Sequence, residues 1–129
     1  MILEYYQGYI QASDIIGLKI KIGKNKEYSP NFNIIHDFRD TSFLFSESEL
    51  LKLIDGLKSN STIYGSRKAA YITKTPMQMA ATTLFKVMKN EYLLDVNTVG
   101  SLTAAIEWVE LSKEDYEEIE NCLAELRKE

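Results

Sequence analysis

The stretch "NIIHDFRDTSFLFSESEL", residues 33–50, gathers most of the side chains in this sequence that could do chemistry. His36, Asp37, Arg39 and Asp40 close one apolar run, and Ser46, Ser48 and Glu49 stand at the head of another. An imidazole beside carboxylates has the makings of a general acid–base pair. Carboxylates around a guanidinium could hold a small ion or a partner's charged side chain. A serine at a helix start can carry a phosphate or cap the helix. Each pattern also has a plainer meaning. An aspartate at a strand end accepts from nearby backbone N–H groups, and Arg39 and Asp40 can pair with neighbours or stay solvated. His36 is the only histidine and has no serine or cysteine in a nucleophile's setting near it in sequence. It reads as a partly buried structural residue. One histidine with scattered carboxylates does not specify a metal site. Neither GxGxxG nor GxxxxGK[ST] occurs, and "YGSRK" at residues 64–68 reads as a plain turn. No catalytic residue, cofactor or metal ligand is therefore named.

The elements that must position these residues follow from periodicity. "ILEYYQ" is a strand ending at Gly8. Residues 13–25 divide between strand alternation, with Ile16, Leu18, Ile20 and Ile22 in step, and a helix that stacks Ile15, Ile16, Lys19, Ile20 and Gly23 on one face. The helix-start pair Ser13 and Asp14 favours the helix. "NFNIIHDF" is a short buried strand. "SESELLKLIDGLK" is a helix in which Ser46 caps the N-terminus, Glu49 reaches back to close a capping box, and Leu50, Leu51, Leu53, Ile54 and Leu57 form the apolar stripe. "RKAAYIT" is a strand. "TPMQMAATTLFKVMKN" is a helix with Thr75 as N-cap, Pro76 at its first position, and Met77, Ala80, Ala81, Leu84, Phe85 and Met88 expected against the sheet. "LLDVNTV" is a strand, and Ser101 caps "LTAAIEWV". Ser112 caps the last helix, whose stripe is Tyr116, Ile119, Leu123 and Leu126, with Cys122 beside it as a small apolar residue.

Strand–helix alternation of this kind predicts an α/β fold. We expect a four-stranded, mainly parallel sheet wound as a right-handed superhelix, with helices on both faces and an added C-terminal helix. Ligands of open parallel sheets bind beyond the carboxyl ends of the strands. That edge would gather a candidate binding rim of Asp37, Arg39, Asp40, Thr73, Lys74 and Thr75, joined by Ser46 and Ser48.

With 129 residues, 45% hydrophobic and 26% charged, the chain reads as one globular domain spanning residues 1–129. A single cysteine excludes an internal disulfide. The N-terminal segment does not read as a signal peptide, since Glu4 interrupts it and no basic region precedes it. No run approaches the roughly 18 apolar residues of a membrane span. A cytoplasmic setting is the expectation. Residues 110–129 hold eight acids against three bases, the mark of a helix's solvated face. No basic face points to nucleic acid.

Four segments in order resemble the small stand-alone STAS-like domains, also called SpoIIAA-like, related to bacterial anti-sigma-factor antagonists. They are "GYIQASDI", "YSPNFNIIHDFRD", "RKAAYITKTP" and "SLTAAIEWV", and together they span about residues 3–110. The resemblance implies sequential strand order and supports a helix at residues 13–25. It also implies kinship with lipid-transfer domains of the CRAL-TRIO kind. Antagonists carry a phosphorylated serine in an Asp-Ser-Ser-Gly-type loop at the start of the second helix. The matching place here reads "FSESE", which makes Ser46 and Ser48 the residues in that position. The expected function is a non-enzymatic binding or regulatory module acting through an unknown protein partner, with a second copy of the chain among the candidates. The alternative is a carrier of a small apolar or lipid-like ligand. A buried cavity above roughly 300 Å³ would favour the carrier, and an exposed apolar patch would favour the partner protein.

Overall fold

A computed structural model describes residues 1–29, 31–43, 46–59, 67–88 and 94–128. Strands β1 (Ile2–Ile10), β2 (Ile34–Phe43), β3 (Arg67–Ile72) and β4 (Leu94–Val99) alternate with helices α1 (Ala12–Gly23), α2 (Glu47–Ser59) and α3 (Pro76–Met88). Helix α4 (Leu102–Trp108) follows, then a 3₁₀ turn at Lys113–Asp115 that leads into α5 (Tyr116–Lys128). The sheet is parallel throughout, in the order β1-β2-β3-β4. The divided reading of residues 13–25 resolves to helix. The "YGSRK" turn lies largely outside the described residues; only Arg67 and Lys68 of it are seen, and they open β3.

Helices cover both faces, but their distribution follows from the strand order. A chain that always steps to the next strand with the same crossover hand lays every crossover helix on one side. Accordingly Ile15 of α1, Leu50, Leu53, Ile54 and Leu57 of α2, and Phe85 of α3 share one core with Tyr6, Phe38, Ala69, Tyr71 and Val96 of the sheet. The opposite core holds Leu102, Ala105 and Ile106 of α4 and Ile119 and Leu123 of α5 against Ile35, Ala70 and Ile72. The two C-terminal helices thus close the face that the superhelix leaves bare. Helices α1 and α2 pack closely because residue 56 is glycine. A Cβ there would lie 2.2 Å from Ile16 Cδ1.

The amphipathic reading of α3 is overturned in part. Phe85 is buried, at 4% exposure, but Met77 is 70% and Leu84 42% exposed. The inward face is instead Gln78, Thr82 and Phe85, with Ala81 partly buried. The side chain of Met88 lies outside the described residues. The cause is Gln78. Its Oε1 accepts from the backbone N–H groups of Lys74 and Thr75 at 2.8 and 3.2 Å. Its Nε2 donates to the carbonyls of Arg39 and Thr41 at 3.1 and 2.9 Å. An inward polar residue that satisfies four backbone groups sets the helix rotation, and Met77 and Met79 turn outward. Thr75 does cap α3, accepting from the Gln78 N–H at 3.2 Å.

Two smaller expectations change as well. Glu49 does not close a capping box on α2. Its Oε2 accepts from the Ala12 N–H at 3.0 Å and so caps α1, the neighbouring helix whose own start lacks a free carboxylate aimed at that group. Asp14 is occupied with the Gln11 N–H at 2.8 Å. Cys122 is exposed rather than packed beside the α5 stripe.

Candidate functional site

The carboxyl edge of the sheet brings together six of the eight rim residues. Asp37, fully buried within β2 at the point where its pairing with β3 ends, accepts from Arg39 Nε at 2.9 Å and Nη2 at 3.0 Å, and from Arg127 Nη2 of α5 at 3.0 Å. Its Oδ1 also takes the Arg39 backbone N–H. Asp40 accepts from the Tyr5 hydroxyl at 2.6 Å and has Arg127 Nε and Lys74 Nζ at 3.5 and 3.6 Å. The hydrogen bond from Tyr5 leads the interactions that hold the Asp40 carboxyl below its usual range. Burial, and then the same bond, raise the Tyr5 phenol to about 12. Thr73 is buried and donates its N–H to the Val99 carbonyl at 3.0 Å. Lys74 and Thr75 are tied to β2 through Gln78. The rim is therefore a closed network in which acids and bases answer one another and fasten α5 and α3 to the sheet.

Ser46 and Ser48 stand apart from this network. Both are exposed; their hydroxyls lie 2.9 Å from each other, and Ser46 Oγ accepts from the Glu49 N–H at 3.3 Å. The contact is that of an N-cap.

A second concentration of ionisable groups, all of them buried, lies on the crossover-helix face. Parallel register aligns Glu4 of β1 with His36 of β2, and His36 with Tyr71 of β3. Tyr71 is in turn aligned with Thr98 of β4. Side chains at matched positions point to one face, so a polar row crosses the middle of the sheet. Lys19 descends on it from α1, with Nζ 2.9 Å from Glu4 Oε2 and 2.8 Å from His36 Nε2. The Tyr6 hydroxyl donates to Glu4 Oε1. At the far end, Thr98 donates to Thr82 of α3 at 2.8 Å, and Thr82 donates to the Gln78 carbonyl at 3.0 Å.

The protonation states follow from these contacts. Burial would raise the Glu4 carboxyl, but the charge of Lys19, then His36 and the hydrogen bonds from Tyr6 and Lys19, outweigh it and bring it down to about 2. Burial and the Lys19 charge push His36 down to about 3. Burial lowers Lys19 too, against the opposing pull of Glu4, and raises Tyr6 and Tyr71. At neutral pH a carboxylate, an ammonium and a neutral imidazole thus sit together. Nε2 of His36 accepts from Lys19, which leaves its proton on Nδ1.

Two sequence signals pointed to this row. Glu4 interrupts an apolar strand, and Lys19 falls on the isoleucine face of α1. Nothing local paired them. A cavity of about 30 Å³ lies between α2, α3 and the row, lined at its polar end by Lys19, His36, Tyr71 and Thr82. Larger hollows of about 320 and 470 Å³ are open depressions along α4 and α5. Among the described residues no group of three or more metal-ligating side chains converges, and no helix is long and apolar enough to cross a membrane. No family model, curated protein or solved structure matches this chain.

Proposed function

We propose that this chain is a non-catalytic binding or regulatory module, of the STAS-like kind, that engages a partner protein through the outward face of α3. The observation that carries the reading is the composition of that face. Met77, Ala80, Leu84 and Val87 recur at spacings of three, four and three, and Met77, Leu84 and Val87 are 70, 42 and 65% exposed. Lys86 is the only charged residue of α3, whereas α2 carries five and α5 six. Depletion of charge with enrichment in methionine distinguishes the core of a protein interface from ordinary surface. The spacing is that of a helix seam, so the partner that fits is another apolar helix face.

The other features lend themselves less to function. The rim residues neutralise one another, and Glu4, Lys19 and His36 are buried and bonded to one another. A carrier of a lipid-like ligand would need an enclosed pocket of roughly 300–1,000 Å³, whereas the hollows of about 320 and 470 Å³ among the described residues are open depressions and the cavity beside Lys19 is about 30 Å³.

Affinity capture from the native host, with wild type and Leu84→Glu as matched baits, tests the reading. We expect a protein retained stoichiometrically by wild type and lost from a Leu84→Glu variant that melts at the wild-type temperature. A partner held equally by both baits would move the interaction off α3. A lipid co-purifying in native mass spectrometry would replace the module by a carrier.

A further inference from the structure

Arg127 is the member of the carboxyl-edge network that comes from α5, and it is the surplus charge there. Among the described residues three cations of the network, Arg39, Lys74 and Arg127, meet two carboxylates, Asp37 and Asp40. Arg39 holds both oxygens of Asp37, at 2.9 and 3.0 Å, and its backbone N–H donates to Oδ1 as well. Asp40 has the Tyr5 hydroxyl at 2.6 Å and Lys74 Nζ at 3.6 Å. Breaking a buried ion pair is costly chiefly when it strands a charge. Removing Arg127 strands neither carboxylate.

The surroundings of Arg127 nonetheless form a complete guanidinium site. Its Nη2 donates to Asp37 Oδ2 at 3.0 Å, its Nε lies 3.5 Å from Asp40 Oδ2, and its Cζ lies 5.8 Å from the centre of the Tyr5 ring. Carboxylates beside an aromatic face suit a planar, delocalised cation better than a compact, strongly hydrated ammonium. The site opens to solvent, since the Arg127 and Asp40 side chains are 39 and 35% exposed. Helix α5 is anchored upstream by Ile119 and Leu123. Its last turn can lift as helix ends fray, without undocking the helix.

We propose that Asp37, Asp40 and the Tyr5 ring form a binding site for an arginine side chain of a partner protein, and that Arg127 holds this site shut by occupying it in cis. The partner's guanidinium replaces that of Arg127, so the exchange keeps the charge balance at the buried Asp37. It takes place at the carboxyl edge of the sheet, where parallel sheets bind their ligands.

Two capped amino acids, N-acetylarginine amide and N-acetyllysine amide, serve as probes. Each is titrated into wild type, Arg127→Ala and Arg127→Gln, and followed by NMR shifts of the Tyr5 ring and the Arg39 Nε–H. Both variants should bind the arginine probe saturably and the lysine probe more weakly. Wild type, with an open population of roughly 0.1–10%, should bind the arginine probe about ten- to a thousandfold more weakly than the variants. Adding Asp40→Asn to Arg127→Ala should weaken the arginine probe roughly two- to fivefold. Saturable binding to neither variant would overturn the proposal. So would equal affinity for the two probes, equal affinity in wild type and variants, or indifference to Asp40→Asn. Loss of the fold in both variants would overturn it too, because Arg127 would then be a structural tie and not a detachable latch. None of these outcomes bears on the α3 face, whose test is separate.

Discussion

His36→Gln should flatten the acid limb of the stability curve. The imidazole is held neutral in the fold with its pKa down at about 3, against an ordinary 6.5. Below pH 6.5 the unfolded chain takes up a proton that the folded chain refuses, so stability falls as pH drops from 6.5 toward 3. Once pH is well below 6.5 the slope approaches about 1.4 kcal/mol per pH unit. Between pH 6.5 and 5 the loss amounts to roughly 1.6 kcal/mol, which in a chain of this size lowers Tm by about 5 °C or more. This window belongs to His36, because no other histidine is present. The Glu4 contribution, depressed from 4.5 to about 2, is lost only as pH falls through that lower range. Glutamine keeps an acceptor within reach of Lys19 while removing the titration. Urea melts of wild type and His36→Gln at half-unit steps from pH 7 to 5 read the effect. Wild type should lose stability across the window and the variant should not, whatever their offset at pH 7. A flat wild-type curve, or the same slope in both proteins, would sink the argument that His36 is buried neutral beside Lys19.

The remaining predictions concern packing and the sheet edge. Phe85→Ala should cost about 3–5 kcal/mol, while Leu84→Ala, one residue along but outward, should stay within about 0.5 kcal/mol; equal losses in denaturant melts would contradict the observed rotation of α3. Asp37→Ala should destabilise by about 1–3 kcal/mol by removing the acceptor of one backbone and three guanidinium donors. Unchanged stability would show that the rim does not fasten α5 to the sheet.

The sequence by itself determined the order and type of the elements. Strand and helix periodicities are local, and the caps at Thr75, Ser101 and Ser46 use neighbours three residues away, so these features were legible. Parallel pairing followed from the alternation, and the collection of Asp37, Arg39, Asp40, Thr73, Lys74 and Thr75 at one edge followed from parallel pairing. What lay beyond local periodicity belongs to the tertiary structure. The apolar phase of α3 favoured Met77 and Leu84 as core residues, but four backbone groups at the ends of β2 and β3 required Gln78, and those partners lie up to 39 residues away in sequence. Glu49 served α1 rather than its own helix through a contact of the same long-range kind: the N–H it accepts from is that of Ala12, 37 residues distant. Arg127 reaches Asp37 across 90 residues. The row of Glu4, His36, Tyr71 and Thr98 depends on inter-strand register, because a slip of one residue would send each side chain to the opposite face. Glu4 and Lys19 looked like interruptions of apolar patterns when read separately. Only the docking of α1 over β1 and β2 brings opposite charges to 2.9 Å and makes burying each of them tolerable.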